Sequence, residues 1–448
     1  MLLCINFSKL AMAQQSLDAY IVDATNNKFV QIASSANGLS NPVDLDFYPN
    51  QTTRPCELWI LSQGTNSSGG TTVTVSNANL ATRKYKYVKD GNAFHFMAMA
   101  SAMAFGDSNW ATAQDILDCN RSGGQYTGPT LWSGDMSIYG VIGNPATQDF
   151  NGSHLDMIHQ APFGKGIAFE KDNSYWVLDG FEGYLKRFNF FSDHTPGKHD
   201  HSDGDVRIYT DFTFVKHDTL PHHIVLDNAK KYLYGCDPVA KKIFRVDITT
   251  GNKFGPMAKV NTEALTGYNE WIGLQMKDVV TSGLSKPVGI DIYGDRLVVT
   301  DNASSEIIIY DIANNFAEVG RIKVNYTNKP DLMGIKVGPD GQIYFVDNAN
   351  KKAYMIENKN AWPLKAENLA ENKESISAYP NPAQGGQLTI KGMDNLKSYT
   401  FYNMCGASVL TGTNVADNIL STVSLLPGIY ILRLNSESGF STLKINIL

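Results

Sequence analysis

The stretch Pro221–Gly251, PHHIVLDNAKKYLYGCDPVAKKIFRVDITTG, decides the fold. An apolar run opens at Ile224, a short polar turn follows, and a second run from Tyr232 to Tyr234 is closed by Asp237. Small and basic residues then lead into an alternating run, Ile243 to Ile248. Three short runs of period two, separated by tight turns, predict an antiparallel meander. The same unit recurs in GKGIAFEKDNSYWVLDGFEGYLKRFNF, where Ile167 leads to Asp179, and in PVGIDIYGDRLVVTDNASSEIIIYDI, where Ile290 leads to Asp301. A further copy, LMGIKVGPDGQIYFVDNANKKAYMIE, leads from Ile335 to Asp347. The spacings from lead to aspartate are 12, 13, 11 and 12 residues, whereas successive aspartates lie 58, 64 and 46 apart. A constant unit with variable loops, each unit holding three or four strands, predicts an all-β chain built as a β-propeller.

Weaker copies extend the array in both directions. One begins at Pro42 (PVDLDFYP) and continues through ELWILSQG and TTVTVSN; the next, MAFGDSNWATAQD, carries Gln114 in the aspartate position. Leads at Val43, Met103, Ile167, Ile224, Ile290 and Ile335 predict six blades. Residues Ala19 to Ile32 match the middle of the repeat, with Asp23 in the aspartate position, but lack a lead strand. This hairpin is expected to complete the blade that contains Asp347; were it to recruit its own lead strand, the count would be seven. The run Ser122 to Tyr139 breaks the repeat and reads as a long loop over one face.

The chain has 448 residues, 18% of them charged, a formal net charge of −6 and no basic stripe. It is long enough for one large core and a second domain, and nucleic acid is not an expected partner. Five cysteines, at 4, 56, 119, 236 and 405, form no Cys-x-x-Cys pair, which argues against a thiolate zinc knot. They read as buried free thiols, with a Cys56–Cys119 bridge as the alternative. The first 13 residues, with Ala11 and Ala13 before Gln14, read as the remnant of a secretory signal. No later run reaches the length of a membrane span, so no transmembrane segment is expected.

From WVLDGFEGYLKRF, YGCDPVAKKIFRV and YFVDNANKKAYMI, residues 18–357 resemble the NHL type of six-bladed propeller, a likeness that implies a fold and no activity. Residues 358–377 are charged and Asn-rich and read as a linker. Residues 378–448 change character and read as a small Ig-like β-sandwich. They resemble the type IX secretion C-terminal sorting domain of Bacteroidetes through Tyr379-Pro380-Asn381-Pro382, the Gly428-Ile429-Tyr430 step and a last strand with Lys444. That resemblance implies export by the type IX machinery and a secreted or outer-membrane surface location.

The candidate chemistry lies in the histidines. His95, His159, His217, His222 and His223 fall in or beside segments that enter lead strands, and His223 stands where neighbouring copies have Gly166 and Gly289. The sharp expectation is a zinc, iron or copper site at the channel mouth on His159, His222 and His223, with His95 or His217 in reserve. Against it, adjacent His222 and His223 must point to opposite sides of a strand. A second cluster, His199, Asp200, His201, Asp203 and Asp205 within 192–205, is a candidate calcium or transition-metal loop on the opposite face, weighed against a solvated turn. The recurring aspartates read as turn acceptors rather than catalysts. Two functions follow: a binding module that holds a peptide, glycan or small ligand at the channel mouth, or a metal-dependent lyase or hydrolase.

Overall fold

Apolar runs such as Ile307-Ile308-Ile309 show how the repeat becomes a ring. All three side chains are fully buried: Ile307 and Ile309 pack with Leu332, Ile335 and Phe345 of the following blade, and Ile308 packs with Tyr234, Cys236 and Ile243 of the preceding one. A strand covered on both faces has no side to leave polar, and each such side chain contributes about 1.5–3 kcal/mol. The computed structural model describes residues 16–141, 152–198, 202–326, 329–358, 376–393, 396–403, 407–413, 416–436 and 439–448.

The described residues form six propeller blades. Blade 1 comprises Pro42–Phe47, Leu58–Thr65, Gly69–Ser76 and Lys84–Val88. Blade 2 comprises Ala100–Phe105, Asn109–Gln114, Thr130–Ser133 and His154–Met157. Blade 3 is built on Gly164–Lys171, Ser174–Asp179, Tyr184–Asn189 and Asp205–Thr213. Blade 4 has Ile224–Asp227, Tyr232–Asp237, Lys242–Asp247 and Gln275–Val280; blade 5 has Pro287–Tyr293, Arg296–Asp301, Glu306–Asp311 and Ala317–Lys323. The first strand of each blade is innermost and neighbours the first strands of the blades on either side.

Blade 6 closes the ring. Leu332–Val337, Ile343–Asp347 and Lys352–Glu357 come from the end of the array, and Lys28–Ser34 adds the outermost strand, pairing Lys28 with Glu357 through Ser34 with Lys352. The sequence placed the closure correctly, but Ala19–Val22 is a helix rather than a strand, and Asp23 caps it instead of taking the repeat position. Tyr20 drives this: it is fully buried, and its hydroxyl donates to the Ile356 carbonyl at 2.9 Å. The Asp18 carboxylate is gripped by Arg296 at 2.7 Å.

Two further departures matter for the site. Within Ser122 to Tyr139, Thr130–Ser133 is a blade strand, not loop, and Leu131 and Trp132 are fully buried. Trp132 stacks on Trp110, which meets Trp59 edge-on, and flanking Gly and Ser disguise this short core strand in the sequence. Blade 4 also carries an insertion between its third and fourth strands, Asn252–Pro256 and Gly267–Ile272; the latter pairs parallel with Asp205–Thr213 of blade 3 and extends that sheet to six strands.

The repeat aspartates serve the turns. The Asp301 carboxylate accepts the backbone N–H groups of Ser285, Lys286 and Ser304 at 2.6, 3.1 and 3.1 Å, and Asp237 accepts those of Val239 and Ala240 at 3.0 and 2.9 Å. In blade 2 the Gln114 amide takes over, donating to the Phe96 carbonyl and the Thr130 hydroxyl. Replacing Asp301 with Ala orphans three donors at once and is expected to cost at least about 2 kcal/mol, read as a lower urea midpoint with the blades still folded.

The chain divides into two compact units, the second formed chiefly by Trp362–Leu448. Residues 359–375, which hold most of the predicted linker, and the predicted signal remnant at 1–13 lie outside the described residues. The C-terminal unit stacks a three-stranded sheet (Ser377–Tyr379, Gln387–Lys391, Ile419–Ser421) and a four-stranded one (Leu396–Tyr402, Ser408–Thr413, Gly428–Ser436, Gly439–Ile447) around Leu388, Phe401, Leu432 and Ile445. Its marker residues meet: Asn381 donates to the Lys444 carbonyl at 2.8 Å and accepts the Asn446 N–H at 2.9 Å.

Candidate functional site

His223 immediately precedes the innermost strand of blade 4, Ile224–Asp227, and reaches across the ring interior. Its Nε2 lies 3.0 Å from the Ser101 carbonyl of blade 2, and its Nδ1 lies 3.7 Å from the Asp44 carboxylate of blade 1. Gly166 shows why blade 3 cannot do the same, since a Cβ there would run into the His222 carbonyl. His223 therefore projects inward, as its place among glycines predicts, but it bonds a carbonyl and stands apart from His159. His222 points elsewhere: its Nε2 accepts the His217 backbone N–H at 3.0 Å, and its ring meets Phe214. Burial, with Lys165 nearby, holds the His222 imidazole well below the ordinary histidine range, so it is neutral. The predicted set of His159, His222 and His223 is not brought together: the two adjacent imidazoles, in the segment that enters Ile224–Asp227, turn to different partners, His222 to His217 and His223 to Ser101 and Asp44.

His159 instead meets His95. His95 sits on the short helix Ala93–Phe96 before blade 2, His159 lies between the last strand of blade 2 and the first of blade 3, and their Nε2 atoms are 3.5 Å apart. Cys119, on the loop after Asn109–Gln114, places Sγ 4.0 Å from His95 Nε2. The insertion of blade 4 that lies against blade 3 supplies Glu263, whose Oε1 lies 2.6 Å from His159 Nδ1 and whose Oε2 accepts the His159 N–H at 2.8 Å. Burial pushes the Cys119 thiol up to about 12, which rules against an unassisted thiolate nucleophile. Cys119 and Glu263 escaped sequence reading because each lies in an irregular segment with no motif spacing. Cys56 and Cys119 are both buried free thiols, so the alternative bridge between them is not formed.

Around the second predicted loop, His199, Asp200 and His201 lie outside the described residues. Of its neighbours, Asp203 lies 3.0 Å from His194 Nε2, and the Asp156 carboxylate of blade 2 approaches the same atom at 3.8 Å. Asp205 is separate, 4.0 Å from Arg207.

A cavity of about 740 Å³ occupies the other end of the ring, where the innermost strands of all six blades finish. Blades 2 and 3 line it with Ala104, Phe105, Ile167 and Phe169; blades 1, 4 and 5 add Phe47, Ile224, Leu226 and Ile292, and Asp46, Asp227, Asp291 and Asp295 face Lys230 and Lys336. Asp46 and Asp291 also staple neighbouring blades, accepting the backbone N–H groups of Phe105 and Val337 at 2.9 and 2.7 Å. Burial works to discharge Lys336, but the carboxylates of Asp46, Asp291 and Asp44 outweigh it and hold the ammonium above its ordinary value.

These strands define a six-bladed propeller followed by a separate β-sandwich. Residues 377–448 match the family described as a secretion system C-terminal sorting domain, so the chain is exported by the type IX route to the cell surface or beyond and engages that machinery through its tail. A comparison with curated proteins finds no matching sequence. Among solved structures, an auxiliary nutrient binding protein from Bacteroides ovatus is 12% identical, with a TM-score of 0.45 over 73% of this chain and 75% of that one. Virginiamycin B lyase from Staphylococcus aureus is 11% identical, with a TM-score of 0.43 over 74% and 99%. Values this low transfer no activity. No described helix is long and apolar enough to cross a membrane.

Proposed function

We propose that this is an exported ligand-binding propeller whose channel cavity takes a small molecule bearing an amine or guanidine on an apolar body. The observation that supports it is the mixed cavity wall: aromatic and aliphatic side chains such as Phe47, Phe105, Phe169 and Leu226, together with four carboxylates against two ammonium groups. Such a wall orients an amphipathic cation, with burial supplying affinity and the carboxylates supplying sign. A peptide presenting its amino terminus belongs to the same class. The NHL character of the blades and the secretory signal at 1–13 belong to this reading.

Titration calorimetry of the full chain with phenethylamine and with phenylacetate tests it. The amine is expected to bind at least about tenfold more tightly, about 1.4 kcal/mol. Phe169→Ala should weaken binding of the amine, and Asp227→Asn should reduce the preference for it. Equal binding of the two probes, or no binding of either, overturns the proposal. A second reading, a metal-dependent lyase or hydrolase, draws support from the meeting of His95, Cys119 and His159.

A further inference from the structure

We infer that His95, Cys119 and His159 form a transition-metal centre of the zinc class, a site independent of the channel cavity and of any ligand bound there. Their donor atoms all lie within 4.8 Å of one another, with separations of 3.5 Å between the two Nε2 atoms and 4.0 Å between His95 Nε2 and Cys119 Sγ. A tetrahedral ion with roughly 2.0–2.1 Å bonds to nitrogen and 2.3 Å to sulfur holds such atoms roughly 3.3–3.4 and 3.5–3.6 Å apart. The His95–His159 and His95–Cys119 separations thus need to close by no more than about half an ångström, and the His159–Cys119 pair, within 4.8 Å, by little more than one ångström at most.

The three ligands come from three separate segments, and each is anchored. The Phe96 ring, next to His95, stacks on His154 with centroids 3.5 Å apart. The Cys119 N–H donates to Thr127 Oγ1 at 3.0 Å; the thiol, which donates to the Tyr126 carbonyl at 2.8 Å, gives up that bond when it loses its proton to bind a metal. His159 is held twice by Glu263, through its backbone N–H and through Nδ1. A carboxylate on Nδ1 is the arrangement that directs Nε2 of a metal-bound histidine toward the ion and raises its basicity. Glu263 is itself braced, since its backbone N–H donates to Asn261 and the Asn261 amide donates to the His159 carbonyl.

Two imidazoles and one thiolate leave a fourth position on the ion. His95 and Tyr126, whose ring lies 6.3 Å from that of His159, are only partly buried. Three protein ligands with an open position distinguish a site that can polarise a bound molecule from a closed structural zinc. The donor set, one soft sulfur and two nitrogens, favours zinc, cobalt or copper over magnesium or calcium.

The test uses the purified full chain. Elemental analysis after dialysis against zinc is expected to give one equivalent of tightly held metal, and cobalt substitution should produce a thiolate-to-cobalt charge-transfer band in the near ultraviolet. Cys119→Ser should abolish the band, His159→Ala should lose the equivalent, and Glu263→Gln should weaken zinc about 10–100-fold. Circular dichroism of each variant establishes that the blades persist. His194→Ala serves as the control, because it breaks the other cluster of possible ligands. Several outcomes overturn the assignment: no bound metal in folded wild type, a cobalt band that survives in Cys119→Ser, or an equivalent that is lost with His194 rather than with His159.

Discussion

Replacing Lys186 with Met is expected to cost the propeller about 3–5 kcal/mol, the usual effect of breaking a buried ion pair from one side. Lys186 lies wholly inside blade 3, with its ammonium 2.8 Å from Asp179, 2.5 Å from Glu182 and 2.7 Å from the Gln160 carbonyl. Burial alone would discharge it, but Asp179, the Tyr268 hydroxyl and Glu182 reverse the sign and hold it protonated. Removing the cation strands the Asp179 carboxylate, which has no exposed surface. Urea unfolding of the full chain, followed by the emission of buried tryptophans, reads the loss. The double variant Lys186→Met/Asp179→Leu should regain a large share of it, because only the partly exposed Glu182 carboxylate then lacks its partner. A single variant within about 1 kcal/mol of wild type would show that the pair contributes little more than an exposed bridge.

The second large effect is expected from removing residues 16–34. This takes away the outermost strand of blade 6 and, with it, Leu17, Tyr20 and Ile32, none more than 1% exposed. Loss of those side chains alone corresponds to more than about 5 kcal/mol at the usual value per buried residue. It also bares the edge of Lys352–Glu357, a template for unwanted pairing. The truncated chain should unfold over a broadened transition and self-associate at micromolar concentration, as seen by light scattering. Adding Lys28–Ser34 back as a peptide should partly restore cooperativity. A truncated chain with an unchanged midpoint would mean that five blades and three strands suffice.

The fold was legible because each blade is local. The constant distance from Ile224 to Asp237, or from Ile335 to Asp347, encodes a hairpin and its turn within a dozen residues, and six such units leave one way to stack. The departures follow the same logic. Tyr20 and Trp132 take their conformations from partners far along the chain, Ile356 and Trp110, which local pattern cannot register. The site was half legible. His95 and His159 were singled out by lying in entry segments, yet which histidines converge depends on side-chain direction, and His222 turns toward His217 instead. Cys119 and Glu263 gave no signal, since a lone cysteine and a loop glutamate become a pair of site residues only once the blade 4 insertion reaches over blade 3 toward blade 2. That insertion pairs parallel with the neighbouring blade, a geometry the hairpin pattern does not announce.

The imidazole of His223 reaches from blade 4 to groups on blades 1 and 2. One side chain thus ties three blades together across the axis, at the end of the innermost strands opposite the cavity lined by Asp46 and Phe169. A blade that tilted outward would break that span, so the imidazole acts as a spoke that holds the rim to a fixed width.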